Sequence, residues 1–483
     1  MINKRLYAIS MVFCLSIILT ACQAAQAEKI DLRPCTLTNN ISAQCGTLSV
    51  FENRAAHSGN KINIHIAVIK ARGTNTFPDP IFYLAGGPGA SAIGDAAYAL
   101  RVLKFASEQR DIVLVDQRGT GKSNRLTCPR QIDEAAGLIP MDDQMIQSFQ
   151  DCLAHLDADP SAYTTAWGMD DVDDVRAALG YDQVNLYGES YGTTAAEVYL
   201  QRHGDHVRTV TLEGVTLLEV PIFEKMPHSS QLALDSLVKR CQMDASCNAA
   251  YPNFVEELMT VLSRLEKQAI ELPANHPRTG LPIRLNRTMF ALGIHSTLYD
   301  TEGAILLPRL IHQAYEGNWK EIAPLVADDF SADPSDFEWV IMNLNILCHE
   351  NWARLRATET AQYSAGSYLK YEDVRRYVAP VQICDAMPVP PHAALYKQVR
   401  SSPVPVLLIS NGADPQNPPE NVADAKERYP NSLTVTAPGQ GHGYTGMECR
   451  EPFISTFIAT GTTKGLDTSC LQHVPLPGFS VSD

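Results

Sequence analysis

The sequence predicts an α/β fold: a mostly parallel β-sheet covered by helices, with a large, mainly helical cap inserted between two sheet strands. Three observations carry that expectation. Short apolar runs alternate with helix-forming runs through residues 80–213, as in strands joined by crossover helices. One run, residues 184–187, passes into Gly188-Glu189-Ser190-Tyr191-Gly192 with a helix-forming run, residues 194–201, directly behind it. The alternation stops near Leu217 and resumes near Val404, and the chain between reads as helices with proline-rich joints.

Before the first strand lies a segment that is not part of the fold. Lys4 and Arg5 precede an apolar run, residues 6–19, too short to span a bilayer comfortably. It ends in Leu19-Thr20-Ala21-Cys22, which resembles the lipobox of bacterial lipoproteins, where cleavage precedes a lipid-bearing cysteine. The resemblance implies export from a bacterial cytoplasm and a lipid anchor on Cys22, in the outer membrane facing the periplasm or cell surface. The expected organisation is therefore 1–22 signal peptide and lipobox, 23–216 first part of the core, 217–402 cap and 403–483 last part of the core.

Composition agrees with a globular chain: 483 residues, 45% hydrophobic and 19% charged, with a formal net charge of -15. Such an acidic balance argues against nucleic acid and anionic membrane surfaces as partners. Of 12 cysteines, Cys14 and Cys22 belong to the leader. The other ten fall as close pairs, Cys35/Cys45, Cys128/Cys152, Cys241/Cys247, Cys348/Cys384 and Cys449/Cys470. Five disulfides in an oxidising compartment are expected, although spacing alone permits other connectivities. None has Cys-x-x-Cys spacing, so no metal site is expected.

The core elements follow in order. Residues 47–51 and 62–69 have strand character, with Asn/Gly turns between. Residues 80–84 form a strand that empties into Ala85-Gly86-Gly87-Pro88-Gly89, a loop whose bare N–H groups can face an oxyanion. Residues 111–115 form a buried strand before Asp116-Gln117-Arg118-Gly119-Thr120-Gly121-Lys122-Ser123. The end of that run looks like a phosphate loop, but Asp116 stands where the leading glycine must be. It is read as a tight turn with Arg118 offering a salt bridge near the site. A helix opens at Thr165 and stops at Gly180, then come the strand before Ser190 and a strand over Val207–Glu213. Cap helices are expected over residues 231–240, 254–271 and 304–315. The sheet resumes over residues 404–410 and runs into Asn411-Gly412-Ala413-Asp414; a helix to Tyr429, a strand over 432–436 and Gly441-His442-Gly443 complete it.

Gly-x-Ser-x-Gly between strand and helix is the context of a nucleophile elbow, where glycines let the two elements approach and the serine adopts a strained backbone. A serine hydroxyl needs a base to take its proton. Ser190 is expected as nucleophile, His442 as general base and then acid, and Asp414 as the group fixing the imidazole tautomer. Glu420 and Asp424 are the alternatives to Asp414. The order Ser…Asp…His is that of α/β-hydrolases. Oxyanion donors are expected from the N–H groups of Tyr191 and Gly87, with Gly86 as alternative.

Together, Gly86-Gly87-Pro88-Gly89, Asp116-Gln117-Arg118-Gly119-Thr120-Gly121-Lys122-Ser123, Gly188-Glu189-Ser190-Tyr191-Gly192 and Gly441-His442-Gly443 resemble α/β-hydrolase peptidases of the proline iminopeptidase and tripeptidyl aminopeptidase type. The tripeptidyl branch is nearer, through Tyr163-Thr164-Thr165, residues 174–180 and the C-terminal region from Pro405 to Cys470. The resemblance implies a serine aminopeptidase acting on short peptides. Two departures stand out. Ala85 replaces the histidine usual in proline iminopeptidases, and the Trp/Glu motif that holds a substrate amine has no clear counterpart in the cap. Cys348-His349-Glu350 resembles the Cys-x-Asp of the tripeptidyl branch, which makes Glu350 the candidate for the substrate ammonium, ahead of Glu189 and Glu213. No cofactor is expected. The same triad would serve a carboxylesterase or lipase, and a lipid-anchored binding protein on this scaffold is the non-enzymatic alternative.

Overall fold

A computed structural model describes residues 29–127, 143–220, 222–275, 282–322, 340–351, 354, 356–378, 384, 396, 399–443 and 446–481. The leader with Cys14 and Cys22 lies outside them, as does Cys128. The described strands are β1 Arg33–Thr36, β2 Ser42–Phe51, β3 Lys61–Ile69, β4 Ile81–Leu84, β5 Ile112–Val115, β6 Val184–Glu189, β7 Val207–Glu213, β8 Ile270–Asn275, β9 Pro282–Leu285, β10 Val406–Asn411 and β11 Ser432–Ala437. Nine of them form one sheet in the order β1-β2-β3-β5-β4-β6-β7-β10-β11. The six from β5 to β11 run parallel, and β1, β2 and β3 add antiparallel pairings at one edge.

Parallel strands buried on both faces read as continuous apolar runs, and every residue of β4, β5 and β10 is buried. Side chains alternate between two cores. Phe82, Val113, Leu186, Val210 and Leu408 face Val172, Val175, Ala195 and Ala196 on the helices Thr165–Leu179 and Tyr191–His203. Their neighbours Ile81, Tyr83, Leu114, Tyr187 and Leu407 face Ala96, Ala99, Ile454 and Phe457 on the helices Ala96–Val102 and Arg450–Thr460. The helix Thr165–Leu179 has the ends its sequence announces. The Thr164 side chain accepts the Trp167 N–H, and Gly180 takes the left-handed conformation at φ 79°.

A large helical insertion separates β7 from β10, as expected, and it carries a core of its own that includes Leu234, Leu258, Ile294, Ile311 and Val374. Within it, the bounds of individual helices depart from the sequence reading. The helix expected over 254–271 is Phe254–Lys267, and residues 270–275 are instead β8, paired antiparallel with β9. Leu272 is buried while Glu271 and Pro273 are exposed, so the burial period has dropped from helical to two. The helix expected over 304–315 is two pieces, Thr301–Ala304 and Leu307–Tyr315, the second opening with Pro308 where no N–H is needed. The helix expected to reach Tyr429 is a 3₁₀ turn, Pro419–Val422, and one α turn, Ala425–Arg428.

Cys35–Cys45, Cys241–Cys247, Cys348–Cys384 and Cys449–Cys470 are disulfides, and Cys152 is disulfide-bonded. Arg118 is fully buried and forks onto the buried Asp171 at 2.7 and 2.9 Å, inside the helix Thr165–Leu179. Asp116 explains the glycine-rich turn after β5. Its carboxylate accepts the Ser91 hydroxyl at 2.6 Å and the N–H groups of Ile93 and Lys122. A Cβ on Gly121 would lie 2.1 Å from that carboxylate. The turn therefore braces the segment that follows the Gly86–Gly89 loop, at Ser91 and Ile93. Among the described residues no helix is long and apolar enough to cross a membrane.

Candidate active site

Four loops at the C-terminal ends of β4, β6, β10 and β11 supply the candidate residues, the edge where open parallel sheets collect their functional groups. Ser190 follows β6 in a backbone conformation rare for a side-chain-bearing residue, φ 51° and ψ −120°. Its N–H donates to Glu213 O of β7 at 2.9 Å. A Cβ on Gly188 would stand 2.3 Å from Gly192 O, and one on Gly192 would stand 2.0 Å from Leu84 O. Both glycines of the motif are thus sterically required. Tyr191 opens the helix Tyr191–His203, so its N–H lies in the first turn, where no intrahelical carbonyl can accept it.

His442 and Asp414 meet at this serine. His442 Nε2 lies 3.0 Å from Ser190 Oγ, and His442 Nδ1 lies 2.7 Å from Asp414 Oδ2. Asp414 is buried, and its Oδ1 accepts the N–H groups of Gln416 and Asn417, each at 2.8 Å. Those bonds aim Oδ2 at the imidazole. Glu420 and Asp424 are exposed, and Glu420 faces His228 at 3.3 Å. Burial pulls the His442 pKa down, but the charge and hydrogen bond of Asp414, helped by Glu189, override it and leave it above the ordinary value.

Gly86 lies against the serine: a Cβ there would be 3.2 Å from Ser190 Cβ and 3.3 Å from Glu189 O. Gly87 follows at φ 105°, joined to Pro88 by a cis peptide bond. The loop is therefore within contact of the nucleophile through Gly86, the alternative donor of the sequence reading, while the nearest neighbours of a Cβ on Gly87 would be Gly89 and Ala90.

Glu350 is buried in a turn of π-helix, Leu347–Asn351. Its carboxylate accepts the Thr165 N–H at 2.7 Å, the Thr165 hydroxyl at 2.6 Å and the Tyr396 hydroxyl. Thr165 Oγ1 also meets the Tyr191 hydroxyl at 2.5 Å. Burial pushes the Glu350 carboxyl up. The structure thus brings Glu350 to the residue after the serine, as a cap-to-core staple, with its oxygens occupied. Glu189 is half-buried, takes the Tyr83 hydroxyl at 3.1 Å, and is raised to about 7 by burial and by Glu213. Glu213 itself is buried against Arg450 at 2.7 Å.

Sequence reasoning missed the residues that the cap places behind His442. The Tyr299 ring packs edge-on to the imidazole, with centroids 4.9 Å apart. His295 is fully buried beside Asp414 and His442, and burial lowers its pKa to about 3, so it stays neutral. Asn343 reaches the other side of the site and donates to Pro88 O at 3.0 Å. Among the described residues no group of three or more His, Cys, Asp or Glu side chains is arranged to hold a metal ion.

Residues 79–240 match the family described as alpha/beta hydrolase fold, and residues 371–470 match the family described as TAP-like protein. A tripeptidyl aminopeptidase of Streptomyces lividans is 23% identical over 484 residues, covering 94% of this chain and 89% of that protein. The serine protease Hip1 of Mycobacterium bovis is 23% identical over 516 residues, covering 96% of this chain and 95% of its own. A proline iminopeptidase of Heyndrickxia coagulans is 28% identical over 202 residues, 39% of this chain and 55% of that protein. The chain is an α/β hydrolase related, at low identity, to serine peptidases of these kinds.

Proposed function

We propose that this chain is an exported serine aminopeptidase that hydrolyses peptide bonds near the free N-termini of short peptides. The observation that carries the reading is the relay from Ser190 Oγ through His442 to Asp414, at 3.0 and 2.7 Å. Ser190 attacks the scissile carbonyl while His442 takes its proton. The N–H groups of Tyr191 and Gly87 receive the oxyanion, and the tetrahedral species collapses to an acyl-enzyme as His442 protonates the leaving amine. Asp414 holds Nδ1–H and stabilises the imidazolium in both halves of the reaction. Water then repeats the sequence on the acyl group.

The preference for peptides near a free terminus is supported by relatedness to aminopeptidases over most of the chain. Recognition of an α-ammonium calls for a carboxylate near the serine. Glu350 serves only if substrate displaces one of its three donors, whereas half-buried Glu189 adjoins Ser190 and faces His442. Export and a lipid anchor on Cys22 belong to this reading through the lipobox resemblance; the Cys128–Cys152 bond belongs to it through cysteine spacing, and the division at residues 217 and 402 through the break in strand–helix alternation.

The test uses the chain lacking residues 1–22, with free and N-acetylated forms of the same short peptide amides, and Ser190→Ala alongside. Cleavage confined to free-amine substrates, and abolished by Ser190→Ala, is the expected result. Equal turnover of acetylated peptides, or turnover of simple esters alone, would overturn the aminopeptidase reading and leave a general hydrolase.

A further inference from the structure

We propose that the cap acts as a template for the catalytic histidine, and that Tyr299 is the positioning residue through which it does so. The inference rests on the reading of Ser190, His442 and Asp414 as a triad. Five contacts converge on one helix end. The cap helix Arg287–Tyr299 stops at the site, and Tyr299 O accepts the N–H of Gly443 at 3.0 Å. Thr301, just beyond, accepts the N–H of Gly441 at 2.9 Å and donates to Gln440 at 3.1 Å. The Tyr299 hydroxyl donates to Gln416 Oε1 at 3.0 Å, and the N–H of Gln416 is one of the two that hold Asp414. The Tyr299 ring lies against the imidazole itself.

This arrangement explains why glycine stands before His442. A Cβ on Gly441 would lie 2.5 Å from Tyr299 O and 2.7 Å from Leu298 O. The histidine loop is bare there because a helix end occupies the space. Tyr299 therefore touches the imidazole, the backbone of its loop and the loop of its carboxylate partner at once. A ring in that place restricts rotation of the imidazole and keeps water from the Asp414 bond, which a low local dielectric strengthens. Displacing a catalytic group by about 1 Å costs on the order of 100-fold. A lid that swung away as a rigid body would break all five contacts, so on this proposal the cap stays seated during turnover.

The experiment measures kcat and KM for a free-amine peptide amide, and the second-order rate at which a small fluorophosphonate labels Ser190, a reaction that needs His442 but no cap subsite. Tyr299→Ala is expected to slow labelling and kcat together, about 10- to 100-fold, with KM moved less than about threefold. Tyr299→Phe keeps the ring and the carbonyl and should restore most of the loss. If Tyr299→Ala labels at the wild-type rate and only KM rises, Tyr299 is a wall of the substrate cleft and the inference fails. Should Tyr299→Ala not fold, Tyr299→Leu, which keeps the bulk without the ring, decides by the same two rates. Absence of Ser190 labelling in the wild-type chain would instead remove the triad reading, and this inference with it.

Discussion

Ser190 and His442 meet at 3.0 Å from two differently built places. The turn at Ser190 is closed by the sheet: its N–H bonds to β7, and its two glycines are wedged between β6, the following helix and the end of β4. The loop at His442 lies beyond β11 and is gripped from two sides. Asn411 and Ala413 of the core hold Gly441 O and Gln440 O at 2.6 and 2.8 Å, while Tyr299 and Thr301 of the cap hold the N–H groups of Gly443 and Gly441. The nucleophile is thus fixed by backbone sterics, and its base by an agreement between two layers. Damage to the first should cost fold and activity together. Damage to the second should cost alignment alone.

Substitutions can sharpen that contrast. The largest effect is expected from Asp414→Asn, which keeps the shape but reverses the tautomer preference at His442. It should lower kcat about 10⁴-fold with little change in melting temperature. A loss below roughly tenfold would mean that Asp414 is not the partner that matters. Gly192→Ala drives a methyl into Leu84 O, so it should destabilise by about 1–3 kcal/mol in denaturant titrations and abolish fluorophosphonate labelling. Retention of labelling would show the turn to be more pliable than its sterics imply. Thr301→Val strips the acceptor from the Gly441 N–H. A loss of about 1 kcal/mol, appearing as roughly fivefold in kcat with an unchanged denaturation midpoint, is expected; an unchanged kcat would show the core grip to suffice.

The smallest effect is a pH shift. His442 must be neutral to act as base, and its raised pKa places the acid limb of kcat/KM above the ordinary histidine value of about 6.5. Asp414, Glu189 and His295 face the imidazole, and of these Glu189 titrates near neutrality, at about 7. Glu189→Gln removes a negative charge that favours imidazolium, so the limb should move down, by less than about one pH unit. An upward or absent shift in the profile would show that Glu189 does not act on the imidazole.

The difference between the two halves of the site also governs what the sequence discloses. The elbow is written locally, because Gly188, Ser190 and Gly192 satisfy a constraint that spans only a few residues. Thr164 and Gly180 mark their helix ends for the same reason. Asp414 is legible only as one of three nearby acids, since the choice depends on which loop crosses toward β11. Tyr299 is not legible at all: an aromatic on an apolar helix reads as core. Its one trace is distant, in the glycine before His442, which a close backbone approach demands. The β8–β9 hairpin is hidden because Ile270 and Leu272 continue the apolar spacing of the helix before them, and the change of period spans only a few residues. Glu350 is legible as a cap carboxylate, but its bonds to Thr165 and Tyr396 depend on how the cap meets the core and leave no trace in the local sequence.

The pairing of β7 with β10 sets Val210 beside Val406, 196 residues away in sequence. At a synthesis rate of about 5–20 residues per second, the second strand follows the first by roughly 10–40 seconds. During that interval β7, which is almost wholly buried in the finished sheet, is a bare sheet edge, the kind of surface that recruits other chains. The serine is already encoded in the part that has emerged, and its acid and its base are not. The nascent chain therefore holds a nucleophile without a relay, and chemistry becomes available only when the last strands arrive.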